Sequence, residues 1–223
     1  MRLARRSTTE HDRFPENSRA SSGNHGVDGA PEGRYILYSR IANILKRQIN
    51  PQVVLKPQDL VVLLKLLVIG DQRRSFAELS AELSMSASEV HGSVGRAREA
   101  RLLHLATGEL QVNKAALKEF LLHGAKYAFP ATVGAPTRGV PTAYAAPPLR
   151  DQIVQPDTEL PPVWPTADGE RRGIAFYPLY PSVPQAARKD PALYETLALF
   201  DALRGGAARE RSLAAKFLEE RFA

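Results

Sequence analysis

Residues 78–90, Glu-Leu-Ser-Ala-Glu-Leu-Ser-Met-Ser-Ala-Ser-Glu-Val, restrict the fold more than any other stretch of this chain. Leu79 and Leu83 stand four apart, one helical turn, and therefore share a face. Ser84 and Met85 supply a polar turn residue followed by an apolar anchor. Ser86 and Glu89 then form an S-x-x-E capping box, in which a hydroxyl and a carboxylate satisfy N–H groups left free at a new helix start. Val90, Val94 and Ala97 continue at helical spacing. The pattern predicts two short helices packed across a tight turn, with Ser80 as the small residue where they meet.

The flanks extend that unit. Lys56-Pro57 places a proline at a first helical position, Leu60, Leu63, Leu64 and Leu67 recur with Val61 and Val68 beside them, and Gly70 is a stop. Arg73, Arg74 and Ser75 lead into the first motif helix. Past the second, Leu103-His104-Leu105, Thr107-Gly108 and Leu110-Gln111-Val112 read as two short strands joined by a tight turn. Residues 114–129 follow as a helix with Ala116, Leu117, Phe120 and Leu121 on its apolar side. Upstream, Leu37, Ile41, Ile44, Leu45 and Ile49 predict an amphipathic helix over 34–49, ended by Asn50-Pro51. It is the candidate dimer element.

The remaining segments differ in character. Residues 1–33 are too polar to offset their ordering entropy and are expected to be a disordered tail. Residues 130–190, together with Pro191, hold thirteen of the seventeen prolines. Because proline lacks an N–H and fixes φ, an extended, Pro-rich arm is expected there, free of long helices and central strands. Its Tyr144, Val163, Trp164, Ile174, Phe176, Tyr177 and Tyr180 imply that the arm packs onto a surface, with a turn at Asp168-Gly169. Residues 191–223 predict a helical hairpin. One helix starts at the Asp190-Pro191 cap, carries Leu193, Leu197, Phe200 and Leu203, and stops at Gly205-Gly206; the next carries Leu213, Phe217, Leu218 and Phe222.

The net charge of +6 is localised. Residues 1–33 and 130–223 are each balanced, whereas 34–129 hold 14 basic and 8 acidic side chains. Such a local excess is the footprint of a phosphate-binding module, although a solvated basic face has the same composition. Without cysteine there are no disulfides, thiolate metal sites or cysteine nucleophiles. The longest apolar run, 60–69, is about half of what a bilayer-spanning helix needs, and no signal-type h-region follows the basic N-terminus. A cytoplasmic protein with no membrane association is expected. The five histidines are scattered, and no P-loop, dinucleotide fingerprint or zinc spacing occurs, so no cofactor, metal or catalysis is expected. Thr137-Arg138-Gly139 is a polar loop with the makings of a phosphate contact or of a fold-back onto a neighbour.

Residues 78–90 and 100–103 together resemble the winged helix-turn-helix regulators of the MarR type: an E-L-A-x-x-L, a turn, an S-x-x-x-V and a closing A-G-L-L. The resemblance covers about residues 55–129. It implies a winged helix-turn-helix and does not extend to the Pro-rich arm or the C-terminal hairpin. Taken together with those, the expected fold is mainly α with a small β-wing, a winged helix-turn-helix followed by a Pro-rich extended arm and a C-terminal helical hairpin. The resemblance also implies binding of double-stranded DNA by a homodimeric transcriptional regulator, with the recognition helix in the major groove. The DNA-contacting candidates are Arg73, Arg74, Ser86, Ala87, Ser88, Glu89, His91, Gly92, Arg96 and Arg98. This chain departs from the pattern at Gly92 and Gly95, where longer polar side chains are usual, and at Arg101, where glycine is usual. Those glycines leave open a second reading, a protein-binding adaptor or antitoxin-like protein that holds a protein partner.

Overall fold

The computed structural model describes residues 54–106, 109–154 and 159–222. The expected N-terminal tail, the amphipathic helix over 34–49 and the Thr107-Gly108 turn lie outside them. The described chain is mixed α/β, built from helices and two small sheets.

Helix α1 (Pro57–Ile69) begins with proline at its first turn, and the Asp59 carboxylate accepts the Lys56 N–H at 2.8 Å. A helix apolar on every side must be surrounded, and Leu60 through Leu64 are accordingly buried at the centre of the structure. Helices α2 (Phe76–Leu83) and α3 (Ala87–Glu99) each start from a complete capping box, Ser75 with Glu78 and Ser86 with Glu89. Between them Ser84 takes a left-handed conformation (φ 52°), Met85 N–H donates to the Ser80 carbonyl, and Ser80 Oγ donates to the Met85 carbonyl. The short Ser80 side chain is thus what lets the turn close.

After α3, Arg101 is also left-handed (φ 60°). A side chain there costs about 1 kcal/mol relative to glycine. Strands β1 (Leu103–Ala106) and β2 (Glu109–Val112) pair antiparallel, Leu103 opposite Val112 and His104 opposite Gln111. Asn113 caps α4 (Lys114–Glu119), which passes through a π-helical turn (Phe120–Gly124) into α5 (Ala125–Ala128).

Residues 130–190 are not the extended arm that the prolines predict. They form β3 (Val133–Pro141), β4 (Pro162–Pro165), β5 (Arg171–Phe176) and helix α6 (Val183–Lys189), with two 3-10 turns between β3 and β4. The three strands close into a small barrel: β3 is antiparallel to both neighbours, and β4 pairs parallel with β5. The prolines fit because the strands are short. Pro162 and Pro165 bound β4, Pro141 ends β3, and Pro136 lies beside a register irregularity, all positions where a missing N–H is tolerated. Closure also needs glycine. A Cβ on Gly139 would lie 2.1 Å from the Trp164 carbonyl oxygen, and one on Gly169 2.3 Å from Gly139 Cα. The Asp168-Gly169 turn does fall between two strands, as expected.

The C-terminal helices are α7 (Pro191–Gly205), capped by Asp190, and α8 (Ala208–Glu220), packed on one another. Their core is shared with the first half: Leu193, Leu197 and Phe200 join the cluster that holds Leu60, Leu79, Val90 and Leu103, and so does Trp164 from the barrel. A buried polar node fastens barrel to helix. Asp201 accepts the Trp164 indole N–H (2.5 Å) and the Thr142 hydroxyl (2.8 Å) on one oxygen and the Arg204 Nε (2.8 Å) on the other.

Candidate nucleic-acid interface

The ten candidate residues separate into two groups once α3 is seen in place. Successive helical residues are 100° apart, so Ala87, Ser88, His91, Gly95 and Arg98 fall on one side, and Val90, Ser93, Val94 and Ala97 on the buried side. Ala87, Ser88, His91 and Arg98 are exposed. Ser86, also exposed, is committed to the cap. The His91 ring packs at 51° against Phe76, centroids 5.4 Å apart, so the first residue of α2 holds a side chain of the open face of α3.

Glu89 and Arg96 lie on the flank of α3, and both are engaged by other parts of the chain. Glu89 Oε2 accepts the backbone N–H (3.0 Å) and the hydroxyl (2.9 Å) of Ser86, while Oε1 accepts the Tyr180 hydroxyl. These donors, Tyr180 foremost, hold the carboxyl below its ordinary range, and the same bond pushes the Tyr180 phenol up. Arg96 grips Asp59 with both Nε (2.8 Å) and Nη2 (2.6 Å). Asp59 is fully buried, and its hydrogen bonds raise the pKa of the guanidinium further. Gly92 lies under this guanidinium: a Cβ there would meet Arg96 Nη1 at 3.2 Å. Gly95 differs, with nothing within 4 Å of where its Cβ would stand.

Of the two arginines before α2, Arg73 is exposed. Arg74 is half-buried and occupied, donating to Glu82 (3.1 Å), Gln72 (2.9 Å) and the Arg73 carbonyl (3.0 Å). Glu82 links onward to Lys65, the one charge in the apolar run of α1, and Lys65 reaches Asp190 at 2.8 Å. Burial works against the Lys65 ammonium, but its bonds to Asp190 and Glu82 outweigh that and hold its pKa above the ordinary value. The network joins the loop before α2 to the cap of α7. Lys189 adds a second link, donating to the Ala81 carbonyl (2.6 Å) and the Ser84 hydroxyl (2.8 Å) in the turn between α2 and α3.

Three residues that shape this surface carry no local signal of that role. Asp59 and Tyr180 act from 37 and 91 positions away, and Phe76 reads as an ordinary apolar helix residue. Arg101 differs in kind, since the motif itself marks its position as one that usually holds glycine.

Comparison with family models, with curated proteins and with solved structures gives no match to this chain. Among the described residues no helix is long and apolar enough to cross a membrane, and no cluster of three or more His, Asp or Glu side chains is arranged to hold a metal ion.

Proposed function

We propose that residues from about 55 to 129 are a winged helix-turn-helix, of the MarR-like kind that the sequence resembles, and that they bind double-stranded DNA as part of a homodimeric transcriptional regulator. The observation that carries this reading is the open side of α3. Its first turns present Ala87, Ser88 and His91 to solvent, and Arg98 follows on the same side, while the flanking Glu89 and Arg96 are tied down. Residues at the start of the second motif helix face base edges when such a unit docks in the major groove. Ser88 and His91 are the hydrogen-bonding groups for bases, and Arg98 and Arg73 serve phosphates. The left-handed Arg101 falls at a position where the resembled pattern prefers glycine, and the left-handed Ser84 falls in the turn between the two motif helices, which supports the match in backbone as well as in side chains.

The test is the affinity for a labelled duplex, from the DNA upstream of its own gene and from random sequence, as a function of salt. Phosphate contacts predict a log–log slope of about −0.9 per neutralised charge. Preference for the upstream duplex with such a slope is the expected result; no binding at low salt would overturn the proposal.

A second reading, a protein-binding adaptor, is favoured by exposed apolar side chains away from α3. Val133 (65% exposed) and Tyr177 (50%) lie close together on the barrel, where the Tyr177 N–H donates to the Thr132 carbonyl. This reading predicts a stable heterocomplex whose stability is insensitive to salt and is lost in Tyr177→Ser.

A further inference from the structure

Arg101 occupies a backbone conformation that glycine adopts without strain, at the junction of α3 and β1. Nothing among the described residues explains the choice. Its side chain is exposed and makes no ion pair among them, and its carbonyl, which accepts from Asn113 Nδ2 at 3.2 Å, would be present in any residue. Arg98 is likewise exposed and without an ion-pair partner among the described residues.

The two arginines line one cleft, between the C-terminal half of α3 and β1. Gly95 forms part of its wall, His104 of β1 its far side, and Glu99 is the one carboxylate among its described lining residues. The charge of Glu99 acts on Arg96, around the helix from the cleft, and two guanidinium groups still leave a positive excess there. Because nothing stands within 4 Å of the missing Gly95 side chain, a ligand strand can approach the α3 backbone directly. Four features therefore converge: a strained arginine, a second arginine one turn away, an imidazole and a bare stretch of helix.

We infer that this cleft is a phosphate clamp, in which Arg98 and Arg101 grip a phosphodiester of the duplex while Gly95 lets the sugar-phosphate strand lie against α3. The inference rests on the DNA-binding reading above. It adds Arg101 and the bare backbone at Gly95 to the phosphate contact already given to Arg98, and it assigns Arg101 a role that its departure from glycine otherwise leaves without a reason. Guanidinium groups suit the task because their fixed fork of donors matches phosphate oxygens.

The experiment uses the full chain and a labelled duplex, with wild type, Arg101→Gly and Arg101→Lys compared by thermal unfolding and by affinity over a range of salt. Arg101→Gly relieves the backbone, so Tm is expected to rise by about 2–4 °C. Its affinity at 0.1 M salt is expected to fall roughly eightfold and its log–log slope to shrink by about 0.9, the loss of one phosphate contact. Arg101→Lys keeps both strain and charge, so its slope is expected to match wild type. Wild-type binding with an unchanged slope in Arg101→Gly would overturn the clamp and leave the DNA-binding reading standing. If wild type binds no duplex at all, both fall together.

Discussion

Arg96 reaches from α3 to Asp59 at the start of α1 and holds a fully buried carboxylate with two hydrogen bonds, at 2.6 and 2.8 Å. A side chain that sequence spacing offers to DNA is thereby turned inward. It fixes how α3 sits against α1, and so how the open face is aimed. Removing one member of a buried pair leaves an uncompensated charge, which costs more than the pair itself contributes. Arg96→Ala is expected to lose about 3 kcal/mol in urea unfolding. Arg98→Ala, changed two positions away on the exposed side, is expected to stay within about 0.5 kcal/mol of wild type while weakening duplex binding. Equal stability losses in the two variants would refute this division of roles.

The Tyr180–Glu89 bond ties the segment after the barrel to the first turn of α3. Tyr180→Phe keeps the ring and removes only the hydroxyl. The hydroxyl is a donor to a carboxylate in a solvated position, so a small loss of stability, read as a slightly lower Tm, is expected. Glu89 would remain capped by Ser86, so helix content by circular dichroism is expected to be unchanged.

The Lys65–Asp190 pair predicts how the fold responds to acid. Burial opposes the Asp190 charge, but Lys65 and the Leu193 and Ala192 N–H groups outweigh it and set its pKa below the ordinary value. A carboxyl depressed in the folded state contributes stability above its unfolded pKa, about 3.9, and that contribution is lost as pH falls through the folded value. Stability from this source is therefore expected to hold from pH 7 to about 5 and to decline below about 4. In Lys65→Met the decline is expected to be shallower, since the Asp190 carboxylate loses its cation. Identical acid slopes for the two proteins would show that the pair is electrostatically silent.

Gly139 allows β3 to lie against β4 with no room for a side chain. Gly139→Ala places a methyl group against the Trp164 carbonyl, and the neighbouring atom is backbone, which cannot swing away. A loss of about 3 kcal/mol is expected. Trp164 is the single tryptophan and is fully buried, so its fluorescence reports directly on the barrel. A red-shifted emission in the variant, with helix content retained, is the expected signature.

The helices of residues 57–128 were largely legible in the sequence because their signals are local. Capping boxes, an apolar repeat of one turn and a stop residue act within four positions of one another, so Ser75, Ser86, Leu79 and Leu83 are enough to place α2 and α3. The same holds for α7, where Asp190 and Pro191 mark the start, although Gly205 closes the helix rather than standing beyond it. The barrel was not legible. Its strands are short and full of proline, and what makes them strands is closure onto one another through Gly139 and Gly169 and the anchoring of Trp164 to Asp201, all between residues distant in sequence.

For the candidate site the division is the same. Residue type and helical spacing determined which side chains of α3 stand available, since periodicity alone separates Ser88 and His91 from Val90 and Val94. Tertiary structure alone decided which of them remain so. Asp59 claims Arg96 and Tyr180 claims Glu89, because a charge near the edge of a core takes the nearest opposite charge or donor that packing delivers. No pattern along the chain records which partner that will be.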